Sequence, residues 1–146
     1  MPDLVTAVLG GDHPAFAWMR YGRYDSPAKL LFREVRARGA KAALAGNAVS
    51  ELTESQINAM GYALRQRGGV ADAVIVFERN VERFPRSANV YDSLGEAYAA
   101  AGDREKAIAN YQRSIELDPK NTNAAAWLDK LKRPAAKPPP ALREDQ

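Results

Sequence analysis

The sequence predicts an all-α fold in which antiparallel helix pairs stack on one another. The main observation is a repeat, because a step of 34 residues lands on the same type of residue again and again between residues 54 and 121. A fixed period of this length is typical of a helix–turn–helix unit that is copied along the chain. Apolar residues also recur at positions i, i+3 and i+7 within each half of the unit, which indicates amphipathic helices. The residues that recur at this step are Gly61 with Gly95, Gly68 with Gly102, Ala73 with Ala107, Phe77 with Tyr111, and Pro85 with Pro119.

We expect four parts along the chain, with bounds set by turn residues and composition. Ser26 and Pro27 are typical of a helix start, and Gly39 is typical of a helix end. A second short helix over 40–45 should end at Gly46. The predicted parts are a partly ordered segment at 1–24, a degenerate helical hairpin at 25–50, a region at 51–133 with two repeats (54–87 and 88–121) and a capping helix, and a Pro-rich flexible tail at 134–146.

Polar residues before the apolar stripes predict where the helices of the repeats begin. Thr53 and Gln56 have the spacing of a capping box, in which each side chain bonds the backbone N–H of the other residue. Ser87 and Asp103 are expected to cap the two helices of the second repeat, because serine and aspartate are favoured at that position.

One further helix is expected after the second repeat. A stack needs a capping element, because its last repeat would otherwise leave an apolar face in water. This helix should begin after Asn121 and carry Ala125, Leu128 and Leu131 on its apolar face. Two full repeats are fewer than the roughly three that such stacks usually need, so self-association is a candidate way of covering an exposed end.

The composition argues against several classes of site. The chain has 146 residues, no cysteine and a single histidine, His13, so cysteine-based catalysis is excluded and we expect no metal and no cofactor. A net charge of +3 is too small to require a nucleic-acid partner. No apolar run approaches the roughly 20 residues that span a bilayer, and the N-terminus does not resemble a signal peptide. A cytoplasmic location fits these observations.

One pattern suggests catalysis but lacks its companions. Ser26 and Lys29 form an S-x-x-K pattern, the nucleophile motif of β-lactamase-like enzymes. That chemistry also needs motifs such as Ser-Asp-Asn and Lys-Thr-Gly, and the sequence has neither. A helix cap explains Ser26 instead. Lys29, Arg33 and Arg36 share one helical face, which is either a solvated surface or a contact for an acidic partner.

The two repeats resemble tetratricopeptide repeats. The signature of that family has a bulky residue, Leu-Gly and Tyr on the first helix, then Ala, an aromatic residue, a small residue and Pro on the second. The resemblance implies an α-solenoid, a right-handed superhelical stack of antiparallel helix pairs. Asn80 departs from the signature, which has a small residue at this place. The matching residues are Ile57, Met60, Gly61, Leu64, Ala73, Phe77 and Pro85 in the first repeat, and Tyr91, Leu94, Gly95, Tyr98, Ala107, Tyr111, Ser114 and Pro119 in the second.

The resemblance also implies a binding surface. In this family the first helix of each repeat lines a concave groove that takes an extended peptide or a partner helix. Chaperone-binding members hold peptide carboxylates with lysines and asparagines, but Asp92 and Glu96 place negative charge here and would repel a carboxylate. A basic or neutral ligand fits better, and the alternative is that these are ordinary exposed helix residues. The groove positions are Asn58, Tyr62 and Arg65 in the first repeat, and Asn89, Asp92 and Glu96 in the second.

We therefore expect a non-enzymatic, bacterial protein-binding scaffold whose partner is a protein or peptide, with no nucleic acid and no membrane involved. A weaker resemblance gives an alternative. The stretch 26–68 is similar to the helical lead-in before tetratricopeptide repeats at the C-terminus of some bacterial serine hydrolases related to β-lactamases or esterases. The chain would then be an accessory or assembly region of such an enzyme, without a catalytic site of its own.

Overall fold

The computed structural model describes residues 26–46 and 49–133, and all the regular structure in these two ranges is helical. The predicted all-α fold is therefore confirmed. The expectations for 1–24, including His13, and for the tail at 134–146 lie outside the described residues. The helices are α1 (Pro27–Arg38), α2 (Ala40–Ala43), α3 (Glu54–Gln66), α4 (Val70–Arg83), α5 (Ala88–Ala101), α6 (Arg104–Leu117) and α7 (Thr122–Lys132).

The helices pack in the order in which they follow one another along the chain. The pair α3–α4 forms what we call repeat one, α5–α6 forms repeat two, and α7 packs against α6. The first helices of the two repeats, α3 and α5, also contact each other directly. None of the described helices is long and apolar enough to cross a membrane.

Side-chain caps fix most of the helix starts that the sequence predicts. The Thr53 hydroxyl accepts a hydrogen bond from the Gln56 backbone N–H at 3.2 Å, and the Gln56 side chain accepts one from the Thr53 N–H at 2.9 Å. Asp103 accepts from the Lys106 N–H at 3.1 Å. The prediction for Ser87 is wrong in part, because this residue precedes α5 but its side chain makes no capping hydrogen bond.

The lead-in hairpin packs its apolar side chains against repeat one, and a carboxylate of repeat one also bonds its backbone. Ser26 caps α1, and Gly39 turns the chain with a φ of 80°. The N–H of Ala40 then donates to Asp72 Oδ1 of α4 at 2.7 Å, which satisfies a free donor at the start of α2. The second helix of the hairpin ends at Ala43, two residues earlier than predicted.

Each repeat packs an aromatic ring against a glycine of its own first helix. The Phe77 ring lies so close to Gly61 that a Cβ on this glycine would meet the ring Cζ at 2.5 Å. The Tyr111 ring approaches Gly95 in the same way, with a distance of 3.0 Å. Only glycine allows the paired helices to come this close, which explains why both residues recur at the repeat step.

Asn80, which departs from the family signature, makes the same kind of hydrogen bond as Ser114, the small residue at the equivalent position of repeat two. The Asn80 amide donates to the backbone carbonyl of Glu54 at 3.2 Å. The Ser114 hydroxyl, 34 residues later, donates to the carbonyl of Ala88 at 2.9 Å. In both repeats a buried side chain of the second helix thus fastens the first residue of the first helix.

The apolar face of α7 differs by one residue from the predicted face. Ala124 is fully buried, whereas Ala125, which the sequence analysis placed on the apolar face, is exposed. Trp127 completes the face by stacking on Tyr111, with ring centroids 6.1 Å apart and planes 4° apart. Leu128 and Leu131 are partly buried, as expected.

Candidate functional site

The six predicted groove residues all lie on the first helices of the repeats. Asn58, Tyr62 and Arg65 come from α3, while Asn89, Asp92 and Glu96 come from α5. Asn123, at the start of α7, continues the same surface because it bonds two of these residues. We call the surface formed by these seven side chains the first-helix face.

Arg65 and Tyr62 of α3 both contact α5 across this face. The Arg65 guanidinium forms a salt bridge with Glu96 at 3.1 Å, in which both side chains are largely buried (30% and 19% exposed). The Tyr62 hydroxyl donates to the Ser93 hydroxyl at 3.2 Å. Arg65 also lies over the Tyr62 ring, 4.9 Å from its centroid, so the guanidinium is fixed by a charge and by an aromatic face.

A third helix contributes to the face through Asn123. Its amide donates to Asp92 Oδ2 at 2.8 Å and to Glu96 Oε1 at 3.4 Å, which joins α7 to α5. The equivalent residue one repeat earlier, Asn89, donates to Glu54 at 3.0 Å instead. The structure therefore brings Tyr62, Arg65, Asp92 and Glu96 together into one bonded group, while Asn58 and Asn89 are not hydrogen-bonded to that group.

Three buried polar atoms on or under the face have no hydrogen-bond partner within the described part of the chain. They are Oδ1 of Asn58, Oδ1 of Asp92 and the hydroxyl of Tyr111. Buried polar atoms are nearly always hydrogen-bonded in folded proteins. These three atoms are exceptions to that rule, and a fourth, Oδ1 of the buried Asn80, lies on the second helix of repeat one.

The same burial changes the acidity of the groups on the face. Desolvation raises the pKa of the Asp92 carboxyl above its usual value; the Asn123 hydrogen bond opposes this change and the negative charge of Glu96 reinforces it. Desolvation also raises the pKa of the Tyr62 phenol, and the hydrogen bond with Ser93 opposes it.

Sequence reasoning missed several residues that take part in this surface. Ser93, Tyr111, Asn123 and Trp127 were not among the predicted groove residues. The repeat step could have found Asn123, which lies 34 residues after Asn89. It could not have found Trp127, because the preceding equivalent positions hold Ser93 and Ala59.

The candidates for catalysis have structural roles or lie outside the described residues. The Ser26 hydroxyl accepts a hydrogen bond from the Lys29 N–H at 3.4 Å, so it caps α1 as the sequence analysis proposed. Lys29, Arg33 and Arg36 are exposed on α1. Within residues 26–46 and 49–133, no group of three His, Cys, Asp or Glu side chains is placed to hold a metal ion.

Residues 88–121, which comprise repeat two, match the tetratricopeptide repeat family model. The chain carries a tetratricopeptide repeat. Such repeats are typically non-catalytic modules for protein–protein interaction. Repeat one has the same kind of helix pair and the same glycine–aromatic contact as the matched residues.

The matching segment of this chain covers only a small part of the length of the curated proteins to which it is similar. The cellulose synthase operon protein C of Escherichia coli K12 is 32% identical over 74 residues, which are 51% of this chain and 6% of that protein. A putative cellulose synthase operon protein C from strain O157:H7 gives the same values. The Hsp70-Hsp90 organizing protein of Triticum aestivum is 39% identical over 69 residues, which are 47% of this chain and 12% of that protein. These relatives give no support to the resemblance to serine hydrolases.

Proposed function

We propose that this chain is a non-enzymatic scaffold that holds a peptide or a helix of a partner protein on its first-helix face. The observation that carries the proposal is the pair of contacts between helices, Arg65 of α3 with Glu96 of α5 and Asn123 of α7 with Asp92 of α5. These contacts hold side chains from three helices in fixed positions before any partner arrives. A preorganised surface loses less entropy on binding, so a few contacts suffice for useful affinity.

The similarity to known proteins supports a protein partner and leaves its identity open. One relative is named for organising Hsp70 and Hsp90, and a tetratricopeptide repeat covers repeat two of this chain. The clamp that chaperone-binding members use for peptide carboxylates is absent, because Asp92 and Glu96 occupy the face. The proposed partner segment is therefore basic or neutral.

Site-specific photo-crosslinking tests which surface the partner occupies. Asn89 and Asn123 are exposed on the first-helix face, and either can be replaced by a photoreactive phenylalanine. Gln112, exposed on α6, is the matched control because it belongs to the second helix of repeat two. We expect the same protein from a lysate of the native host to be captured at 89 and 123 and not at 112. Equal capture at 112 would contradict the proposal.

Two substitutions on the face give an independent test. Tyr62→Ala removes an aromatic contact, and Asp92→Lys reverses a charge that the partner should sense. Both variants should recover less of the crosslinked protein than the unaltered chain does in a pull-down. If both recover it unchanged, the first-helix face is not the binding surface.

The non-enzymatic part of the proposal has its own assay. Generic ester and β-lactam substrates should show no turnover with the purified chain, because Ser26 is engaged as a helix cap. Turnover that disappears in Ser26→Ala would show that the chain is an enzyme.

A further inference from the structure

We infer that the first-helix face contains a site for one cationic side chain of the bound segment, a lysine or an arginine, at Asp92 and Glu96 above Tyr111. The inference rests on the proposed function, since it names the chemistry of the segment that this face binds. Three observations carry it: an uncompensated charge, a spare hydroxyl and the kind of atoms that are left unpartnered.

The first observation is that repeat two places two carboxylates on the face and the described residues neutralise only one of them. Asp92 and Glu96 are one helical turn apart on α5. Glu96 is paired with Arg65 at 3.1 Å. Asp92 accepts a hydrogen bond from the neutral amide of Asn123, and the neutral amide of Asn121 also lowers the pKa of its carboxyl, but none of the salt bridges among the described residues includes Asp92. A half-buried carboxylate is costly unless it meets a positive charge, so this one is suited to a cation.

The second observation is the hydroxyl of Tyr111, which packing does not require. Tyr111 is fully buried, and its ring lies against Gly95, the residue beside Glu96 and one turn after Asp92. Phe77 occupies the same place in repeat one and packs against Gly61 without a hydroxyl. The Tyr111 hydroxyl is close enough to the carboxylates that their charges, after burial itself, raise its pKa. The Tyr111 ring therefore packs against the segment of α5 that carries the acidic pair, and its buried hydroxyl has no hydrogen-bond partner among the described residues.

The third observation is the hydrogen-bonding character of the vacant atoms. Oδ1 of Asp92 can only accept while the carboxyl is ionised, and the tyrosine oxygen can accept as well as donate. Asn58 presents another vacant acceptor on α3. A lysine ammonium has three donors and an arginine guanidinium has five, with no acceptor in either. A cationic side chain thus matches the charge of Asp92 and the acceptor character of the atoms around it, whereas a carboxylate matches neither.

A peptide selection followed by quantitative binding tests the inference. The full chain is used to select from a displayed library of random peptides of about nine residues, and the selected peptides are measured by fluorescence anisotropy. We expect a lysine or an arginine at one fixed position of the selected peptides. Replacing that lysine by norleucine removes the ammonium with its charge and its donors, and replacing that arginine by citrulline removes the charge but keeps a planar group of similar size.

The expected effect is a loss of affinity of about tenfold to a hundredfold, the range for a hydrogen bond to a charged group. Asp92→Asn should weaken the unmodified peptide to a similar degree and make the norleucine or citrulline swap nearly harmless. Tyr111→Phe should cause a smaller loss of affinity. It removes the hydroxyl and keeps the ring, and Phe77 of repeat one shows that the ring alone is sufficient for packing. Glu105→Gln, an exposed charge on α6 away from the face, is the control and should bind as the unaltered chain does.

The outcomes separate this inference from the proposed function. If peptides crosslink to a photoreactive residue at 89 but bind equally well to Asp92→Asn, the cation site is overturned and the proposed function stands. If no selected peptide crosslinks at 89 or 123, the proposed function and the cation site are both overturned. Circular dichroism shows whether each variant is folded. If Asp92→Asn is unfolded, Glu96→Gln repeats the test at the second carboxylate.

Discussion

Repeat one and repeat two differ far more on the first-helix face than in their core. Phe77 and Tyr111 are both fully buried, and each ring lies against a glycine of its own repeat. On the face, the neutral Asn58 is replaced by the carboxylate of Asp92 one repeat later. Core positions are held constant by close packing, whereas face positions are free to differ. If the chain has the proposed function, the side chains that differ between the two repeats on the first-helix face therefore determine which partner binds.

The two repeats also differ in how their second helices are covered. The second helix of repeat one, α4, packs against α5 of the next full repeat, whereas α6 of repeat two packs against the single helix α7. Trp127 provides the aromatic contact at that end by stacking on Tyr111.

The largest effect we expect comes from removing this contact. Trp127→Ala should lower the free energy of unfolding by about 2–3 kcal/mol, less than the loss for a fully buried tryptophan because Trp127 is only partly buried. Urea unfolding followed by circular dichroism measures the change. Ala125→Ser is the matched control on the exposed face of α7 and should change stability by no more than about 0.5 kcal/mol. The reverse result, with Ala125 the sensitive position, would restore the apolar face predicted from the sequence.

The next effect tests how closely the helices of each repeat approach. A Cβ on Gly61 would meet the Phe77 ring at 2.5 Å, whereas one on Gly95 would meet the Tyr111 ring at 3.0 Å. Overpacking costs about 1–3 kcal/mol, and replacing a helical glycine by alanine recovers up to about 1 kcal/mol. Gly61→Ala should therefore destabilise the protein by about 1–2 kcal/mol, and Gly95→Ala by less. Thermal unfolding of both variants makes the comparison, and equal losses would show that the repeats are packed equally closely.

A smaller effect concerns the polar residue that fastens the first helix of each repeat. Asn80→Ala leaves the Glu54 carbonyl without the 3.2 Å hydrogen bond from the Asn80 amide, and should cost about 1 kcal/mol. Asn80→Ser introduces the residue that repeat two has at Ser114, and should retain part of that stability. Chemical denaturation distinguishes the two variants. If alanine and serine cost the same, the hydrogen bond contributes nothing and Asn80 only fills space.

The repeat step predicted the fold but only part of the candidate site. It found the recurring glycines and aromatic residues, and local spacing found the capping box, but neither predicted that each aromatic ring packs against the glycine of its own repeat. It misplaced the apolar face of α7, where three consecutive alanines at 124–126 give no clear stripe and only the tertiary contact selects Ala124. The bonding on the face was also out of reach. Asn89 and Asn123 are equivalent in sequence, yet they bond different partners because the partners are not repeated: Glu54, which accepts from Asn89, corresponds to Ala88, and Asp92, which accepts from Asn123, corresponds to Asn58.

The smallest effect we expect is a pH-dependent change in stability at Asp92. Desolvation raises the pKa of this carboxyl in the folded chain above the unfolded value of about 3.9. Between these two pKa values the folded state binds more protons than the unfolded state does, so Asp92 lowers stability as pH rises through this window, and the penalty is complete above the folded pKa. Asp92→Asn should therefore be slightly more stable than the unaltered chain at pH 7 and equal to it at pH 3. Glu96 on α5, Arg65 on α3 and Tyr111 on α6 are unchanged in this comparison, so the difference reports on Asp92 itself.

The reciprocal variant applies the same test to repeat one. Asn58→Asp gives repeat one the carboxylate that repeat two has, at a position where the side-chain oxygen is already buried and unpartnered. It should lower stability at pH 7 and leave it unchanged at pH 3, which urea unfolding at the two pH values measures. If a carboxylate at this position destabilises the free chain in either repeat, its presence in repeat two needs another reason. Binding of a cationic partner at Asp92 provides that reason. If Asp92→Asn were instead less stable at pH 7, the carboxylate would already be satisfied within the chain and would have no need of a partner.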